Sequence, residues 1–349
     1  MKLDWNARPP VAGTERITTL DMHAAGEPLR IVTGGLAALE GHTILERRRH
    51  MQEQLDHVRR ALMWEPRGHY DMYGAILTPP VSDGADLGVL FMHNEGYSTM
   101  CGHGVIALVT ALIETGALAA RGRETPVTLD TPAGVVRATA RLDAGGHVER
   151  VSFLNVPSFV YARDVALRLP EVGEIVVDII FGGAFYALLP AERLGLELAT
   201  SNRTALVEGA ERVKRAVNET MPIIHPLEPD LGFLYGTILT GPPEDRAHHS
   251  RNICVFANSE VDRSPTGTGV SGRVAQLHAR GELALGDEIV VESILGRSSV
   301  FAGRAVETTR VGPYDAVVPE VSGTAFITGR SEFLIDPRDL LGGGFLVGG

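Results

Sequence analysis

Two glycine-rich segments with the same layout constrain the fold of this chain more than any other feature. Residues 100–104 read MCGHG and residues 265–269 read PTGTG. Each segment runs directly into an apolar stretch that predicts a helix, over residues 105–115 and 270–279, and each helix ends beside a glycine. A turn followed by a helix therefore occurs twice in one chain, which indicates an internal repeat.

The segments around the two turns extend the repeat. Asp21 and Asp178 each follow an alternating stretch that predicts a strand, and we expect each aspartate to lie at the end of its strand. The distance from Asp21 to Cys101 is 80 residues, and that from Asp178 to Thr266 is 88. After each helix come β-rich stretches. The shared order predicts a pseudo-symmetric α/β (α+β) protein with its active site in the cleft between two similar halves.

The expected division of the chain follows from this repeat. We predict a first α/β half over residues 1–155 and a second over residues 156–334. The C-terminal segment from about 335 to 349 is expected to return to the first half. A length of 349 residues is consistent with two such units.

Composition excludes several classes of partner. The formal net charge of −11 argues against nucleic acid and anionic membranes. There are only two cysteines, so a disulfide framework is not expected and a reducing cytoplasm is favoured. The N-terminus does not read as a signal peptide, and no uncharged apolar run reaches the roughly 18 residues of a transmembrane helix. We expect a soluble cytoplasmic protein that acts on a small molecule.

The chemistry indicated by the two turns is asymmetric. Cys101 lies at a predicted helix N-terminus, where partial positive charge stabilises a thiolate. Thr266 occupies the matching position in the second turn, and its hydroxyl gives up a proton far less readily than a thiol. One base opposite one weak polar group predicts an enzyme that removes a proton from a single face of its substrate.

Five segments resemble the proline racemase family. They are DMHAAGEPLR from Asp21, EPRGHYDMYGAIL from Glu65, MHNEGYSTMCGHG from Met92, SRNICVFA from Ser250 and DRSPTGTGVSGR from Asp262. That family also includes hydroxyproline epimerases and trans-3-hydroxyproline dehydratases. The resemblance implies the diaminopimelate-epimerase-like fold, with a central helix in each half, no cofactor and a homodimer.

The second turn departs from the racemase pattern. Racemases of this family carry a cysteine in each turn, whereas this chain has Cys101 and Thr266, the combination of the dehydratase branch. The resemblance therefore implies dehydration of trans-3-hydroxy-L-proline to pyrroline-2-carboxylate. In that substrate the Cα hydrogen and the 3-hydroxyl lie on the same face of the ring. One thiolate could remove the proton, and the thiol so formed could protonate the departing hydroxide.

Substrate binding is expected at the same turns. The backbone N–H groups of Gly102, His103, Gly267 and Thr268 are suited to hold the substrate carboxylate, because they lie at two helix N-termini. By family resemblance, Asp262 should meet the ring nitrogen. We also expect the helix terminus to lower the pKa of the catalytic thiol from about 8.5 towards neutrality.

Several other residues have structural interpretations. We expect Thr266 to be an N-cap, Cys254 to be a buried structural residue and His103 to contribute only its backbone amide. His248 and His249 have no third ligand at metal-like spacing, so they predict a surface loop rather than a metal site.

Two further segments and three aromatic residues complete the expectations. Residues 43–62 and 204–217 predict amphipathic packing helices. Trp64, Phe185 and Tyr186 are candidates for lining the pocket.

Two alternative functions stay open at this point. An isomerase acting on proline or 4-hydroxyproline would need Thr266, a water or another group to return a proton to the opposite face. A non-catalytic binder of proline-like amino acids would keep the carboxylate site without any proton exchange.

Overall fold

A computed structural model describes residues 10–347 of the chain, in which eighteen strands and five α-helices are found. The strands up to residue 154 are β1 (Glu15–Ala24), β2 (Glu27–Gly34), β3 (Tyr73–Thr78), β4 (Leu87–His93), β5 (Tyr97–Ser98), β6 (Glu124–Thr131), β7 (Gly134–Leu142) and β8 (Val148–Leu154). The later strands are β9 (Ser158–Leu169), β10 (Gly173–Phe181), β11 (Phe185–Pro190), β12 (Leu234–Gly241), β13 (Ser250–Phe256), β14 (Glu260–Asp262), β15 (Glu288–Ser293), β16 (Gly296–Val311), β17 (Tyr314–Gly323) and β18 (Ala325–Ile335). The α-helices are α1 (Ile44–Gln54), α2 (Asp56–Met63), α3 (Gly102–Glu114), α4 (Arg203–Thr220) and α5 (Gly267–Ala279).

The first half wraps its strands around α3. Strands β1, β2, β3, β4, β6, β7 and β8 pair in that order, and β8 then pairs with β17 while β1 pairs with β18. Residues 102–113 of α3 are all buried. A helix that is apolar on every side must be enclosed, and the surrounding strands enclose this one.

The second half repeats the arrangement around α5. Strands β9, β10, β11, β12, β13, β15, β16 and β17 pair in succession, and β17 pairs with β9 to close the ring. Parallel pairs occur at matching places in the two halves: β2–β3 and β4–β6 correspond to β11–β12 and β13–β15. The predicted pseudo-symmetric α/β fold with a central helix in each half is confirmed.

The last strand returns to the first. Strand β18 pairs antiparallel with β1 from Glu15 opposite Ile335 to Ala24 opposite Ala325. A single bridge joins Glu65 to Phe345 further along the tail. The division of the chain at residues 155 and 156 stays a prediction.

The positions predicted for Asp21 and Asp178 are wrong. Both lie inside strands rather than at strand ends, because each carboxylate has an arginine partner beside the strand. Arg30 Nε lies 2.9 Å from Asp21 Oδ1, and Arg280 Nη2 lies 2.8 Å from Asp178 Oδ2. An aspartate whose charge is paired in this way can therefore lie within a half-buried strand.

The predicted helix over residues 43–62 is two helices. Leu55 has φ −126° and ψ 13°, which interrupts the helix between α1 and α2. Thr43 begins α1 with a capping box, since its hydroxyl accepts the Glu46 N–H while the Glu46 carboxylate accepts the Thr43 N–H. Helix α4 contains the predicted segment 204–217. Across the described part of the chain, the helices are too short or too polar to span a membrane.

Candidate active site

The N-termini of the two central helices meet at one cavity. A Cβ added to Gly102 would lie only 2.8 Å from the Cα of Gly267, so only glycine allows this approach. The cavity has a volume of about 470 Å³. Its walls include Tyr73, His93, Tyr97, Cys101, Gly102 and His103 from the first half. The second half contributes Tyr186, Phe256, Asp262, Thr266, Gly267 and Thr268.

Cys101 is the N-cap residue of α3. Its φ of −146° and ψ of 110° are extended, and its Sγ accepts the Gly104 N–H at 3.3 Å. Burial raises the pKa of the Cys101 thiol well above its ordinary value; the Gly104 N–H lowers this pKa and the charge of Asp262 raises it further. The expectation that the helix terminus brings this pKa towards neutrality is therefore wrong for the ligand-free protein, because the loss of solvation outweighs one N–H contact.

The side chain of His103 contacts the thiol. Its Nδ1 and Nε2 lie 3.3 and 3.5 Å from Cys101 Sγ, so the two side chains meet although they are only two residues apart. That His103 contributes only its backbone amide to substrate binding stays a prediction. The N-cap side chain folds over the first helical turn, which brings residues two apart into contact. Burial lowers the pKa of His103 to about 3, so the thiol faces a neutral imidazole at pH 7.

Thr266 precedes α5 in a left-handed conformation. Thr266 occupies the N-cap position, as predicted, with φ 65° and ψ 101°, but its side chain makes no cap hydrogen bond. A positive φ turns a side chain away from the geometry that reaches the first helical N–H groups, and it strains a β-branched residue. The buried hydroxyl has no well-aligned partner among the described residues. It nevertheless lies close enough to Asp262 and Cys254 to oppose the rise in pKa that burial causes in both groups.

Asp262 ends β14 with its carboxylate buried in the cavity wall. Its Oδ1 accepts the Ser264 N–H at 2.7 Å. Burial raises the pKa of Asp262 to about 6, although hydrogen bonds from Ser264 oppose this shift. Glu27 lies nearby, and its pKa is raised well above the ordinary range by burial and by the charge of Asp262. Asp262 is thus a buried carboxylate beside a second acidic group, which favours binding of a cationic partner.

Unpaired backbone donors surround the point where the helices meet. The first N–H groups of an α-helix have no intrahelical acceptor, and here these belong to Gly102 and His103 in α3 and to Gly267 and Thr268 in α5. All four residues line the cavity. Tyr186 Oη lies 2.8 Å from the Thr268 hydroxyl and fixes that wall. Two positive helix ends directed at one point make a site for a carboxylate.

Of the three aromatic candidates for the pocket wall, only Tyr186 lines the cavity. Trp64 directly follows α2 and donates its indole N–H to the Asn94 carbonyl. Phe185 is fully buried in the core of the second half. Both assignments to the pocket are wrong, because a large apolar side chain fits a core as well as a cavity.

Cys254, His248 and His249 lie outside the cavity. Cys254 is buried in β13. His248 lies in the connection between β12 and β13, where its Nδ1 is 2.8 Å from Glu292 Oε1. The part of the chain that the structure describes has no group of three or more His, Cys, Asp or Glu residues placed to hold a metal.

Sequence reasoning missed a second set of cavity residues. They are aromatic or imidazole groups: Tyr73, His93, Tyr97, Tyr235 and Phe256. The segment MHNEGY, which precedes the first glycine turn, was a signal for two of them. Tyr73 and Phe256 lie in two other segments that carry the family resemblance, EPRGHYDMYGAIL and SRNICVFA, whereas Tyr235 lies in none of them.

Known proteins match nearly the whole chain. The family model described as proline racemase matches residues 19–346. A trans-3-hydroxy-L-proline dehydratase from Bacillus cereus is 48% identical over 331 residues, covering 95% of this chain and 98% of the relative. A 3-hydroxyproline 2-epimerase from Burkholderia multivorans is 49% identical, also over 331 residues and with the same coverage. The crystal structure of a hydroxyproline epimerase from Agrobacterium vitis with bound trans-4-hydroxy-L-proline superimposes with a TM-score of 0.86 at 32% identity, covering 95% of this chain and 96% of that one.

Proposed function

The chain belongs to the proline racemase family, and we propose that it dehydrates trans-3-hydroxy-L-proline to pyrroline-2-carboxylate. The observation that carries this proposal is the asymmetry of the cavity, where the Cys101 thiol and the Thr266 hydroxyl occupy matching helix N-termini. Elimination from one ring face needs one base, whereas racemisation needs a proton donor on each face. The 48% identical dehydratase supports the same choice.

Binding of the substrate prepares the thiol. In the proposed complex, the substrate carboxylate meets the N–H groups of the two helix ends and the ring ammonium lies beside Asp262. The ammonium offsets the carboxylate of Asp262, whose charge raises the pKa of the Cys101 thiol in the empty protein. The substrate therefore favours the thiolate that attacks it.

The proposed reaction is balanced on Cys101 alone. The thiolate takes the Cα proton, and the electron pair of that C–H bond forms the double bond between Cα and C3. The C3–O bond breaks, and the departing hydroxide takes the proton from the thiol and leaves as water, which restores the thiolate. The helix-end donors stabilise the charge that develops on the carboxylate. The cyclic enamine then tautomerises to pyrroline-2-carboxylate.

The experiment that tests this proposal is incubation of the purified protein with trans-3-hydroxy-L-proline, followed by NMR. We expect pyrroline-2-carboxylate from the wild type and a loss of at least about 100-fold in kcat for Cys101→Ser, since a positioned general base contributes at least that factor. Cys254→Ser is the matched control and should keep its activity. Full activity in Cys101→Ser would refute the mechanism.

A second candidate is 2-epimerisation of 3-hydroxyproline. The 49% identical epimerase favours it, together with the unpartnered Thr266 hydroxyl in the described cavity. In D2O, epimerisation would give a deuterated product with inverted Cα, whereas dehydration alone would not. Thr266→Cys should create or increase this product by supplying a second base.

The proposed setting is a homodimer in a reducing compartment. The two cysteines of the chain, Cys101 and Cys254, are both free thiols. Size-exclusion chromatography with light scattering would test the oligomeric state, and a mass of about 75 kDa is expected from two chains of 37.4 kDa.

A further inference from the structure

A buried histidine–glutamate pair in the cavity wall has no part in the chemistry proposed above. His93 Nδ1 lies 2.9 Å from Glu260 Oε1, and the two side chains are 7% and 3% exposed. His93 ends β4 in the first half, and Glu260 begins β14 in the second. The pair therefore joins the two halves where they enclose the cavity.

The surroundings fix the orientation of the His93 ring. Tyr73 stacks on it with ring centroids 5.4 Å apart, and Phe256 meets it edge-on at 6.3 Å. Because Nδ1 faces Glu260, the remaining nitrogen is Nε2, which has no hydrogen-bond partner among residues 10–347 as described. Nε2 is not enclosed by protein, so it keeps access to the cavity, where a ligand can form a hydrogen bond with it.

Strand geometry places this pair beside the expected ring of the substrate. Glu260 and Asp262 are two residues apart on β14 and share one face, so their Cα atoms are about 6.6 Å apart. In the proposed complex, Asp262 takes the ring nitrogen and the helix ends take the carboxylate. The ring carbons that remain then face the wall that Tyr73, His93, Tyr235 and Phe256 form, in which His93 supplies an imidazole nitrogen.

We propose that His93, held by Glu260, forms a hydrogen bond with the ring hydroxyl of the substrate and thereby selects hydroxyprolines over proline. This inference rests on the proposed function, because it uses the same orientation of the substrate. L-proline would fill the same space but leave the imidazole nitrogen unpaired. A site built to bind a hydroxyl rejects the analogue that lacks it, since its own polar group then stays buried without a partner.

Ligand affinity tests the proposal without turnover. Isothermal calorimetry on the Cys101→Ser protein would give Kd for trans-3-hydroxy-L-proline and for L-proline. We expect His93→Phe in that background to weaken hydroxyproline binding about 10- to 100-fold and to leave the affinity for L-proline unchanged within about 3-fold. The preference for the hydroxylated ligand would then disappear.

The chain offers a matched control. His248 and Glu292 form a similar pair, with Nδ1 2.8 Å from Oε1, and neither residue lines the cavity. His248→Phe should leave both affinities unchanged. If His93→Phe fails to fold because Glu260 loses its partner, the double variant with Glu260→Gln removes the buried charge and permits the same measurement.

Three results would overturn the proposal: an equal loss of both ligands in His93→Phe, no loss of either, or no preference for the hydroxylated ligand before the substitution. An equal loss would mean that the pair only supports the shape of the cavity. These outcomes are separate from failure of the proposed function, which would appear as the absence of pyrroline-2-carboxylate from the wild type.

Discussion

Replacement of Asp262 by asparagine is expected to stabilise the protein while it removes a group that binds the substrate. Burial raises the pKa of Asp262 to about 6 in the folded protein, against 3.8 for the ordinary carboxyl. A raised pKa in the folded state contributes stability below pH 3.8, and this contribution is lost as the pH rises through about 6. At 1.36 kcal/mol for each pH unit, the full difference is about 3 kcal/mol.

The pH dependence of the stability difference carries the test. Between about pH 4.5 and about pH 7.5, the free energy of unfolding of Asp262→Asn should rise by about 2 kcal/mol relative to the wild type. For a chain of 349 residues, this corresponds to about 3 °C in Tm. Thermal unfolding of both proteins over this pH range would measure it. The asparagine side chain can still accept the Ser264 N–H, so the local turn is retained.

Asp178 provides a control of opposite sign. Although burial opposes the shift, hydrogen bonds from the Asp164 N–H, Gln276 and Arg280 hold the pKa of Asp178 below its ordinary value. Its contribution to stability is present above pH 3.8 and is lost as the pH falls through the lowered pKa. Asp178→Asn should therefore destabilise the protein, most strongly at neutral pH. A stability difference for Asp262→Asn that does not change with pH, or that shrinks as the pH rises, would refute the reasoning.

Three further predictions concern activity and access. Because Asp262 must be ionised to bind the ring ammonium, kcat/KM should lose a further factor of about ten for each pH unit below about 6, beyond the loss caused by protonation of the Cys101 thiolate; a pH–rate profile whose slope does not change through pH 6 would contradict this. Alkylation of Cys101 by iodoacetamide in the ligand-free protein should keep accelerating above pH 9, because burial raises its pKa; a plateau near pH 8 would contradict that direction. Gly102→Ala should reduce activity at least about tenfold, because the added Cβ would lie 2.8 Å from the Gly267 Cα and force the two helix ends apart. Gly329→Ala, with no atom within 4 Å of its added Cβ, should not.

Periodicity and order made the architecture predictable. The two turns, the helices after them and the β-rich stretches recur in the same order, and a set of strands around each helix buries most of its residues. Two predictions were wrong because a single residue or a tertiary contact overrode the local sequence pattern. Leu55 interrupts an otherwise regular helical pattern. Strand β1 continues past Asp21 because Arg30, nine residues later, pairs with the Asp21 carboxylate.

The site was predictable where its residues lie in the glycine turns or, as for Asp262, in the segment leading into the second turn, and Tyr186 was among the aromatic candidates for the wall. Cys101 and Thr266 were evident from the matched motifs, but the conformation of Thr266 depends on tertiary packing that no local propensity encodes. The direction of the Cys101 pKa also needed the structure, because helix position and burial act in opposite directions and only the extent of burial decides between them. His93 and Glu260 are 167 residues apart, so their pairing is not visible in the sequence.

The pairing of β18 with β1 has a consequence for synthesis on the ribosome. The N-terminal strand emerges about 300 residues before its partner, so the first half cannot complete its ring of strands while the chain is growing. The second half closes through β17, which ends at Gly323, twelve residues before β18 ends at Ile335. A chain that stops short of residue 325 would thus leave the edge of β1 open to intermolecular pairing, and the last strand to be made is the one that protects the first.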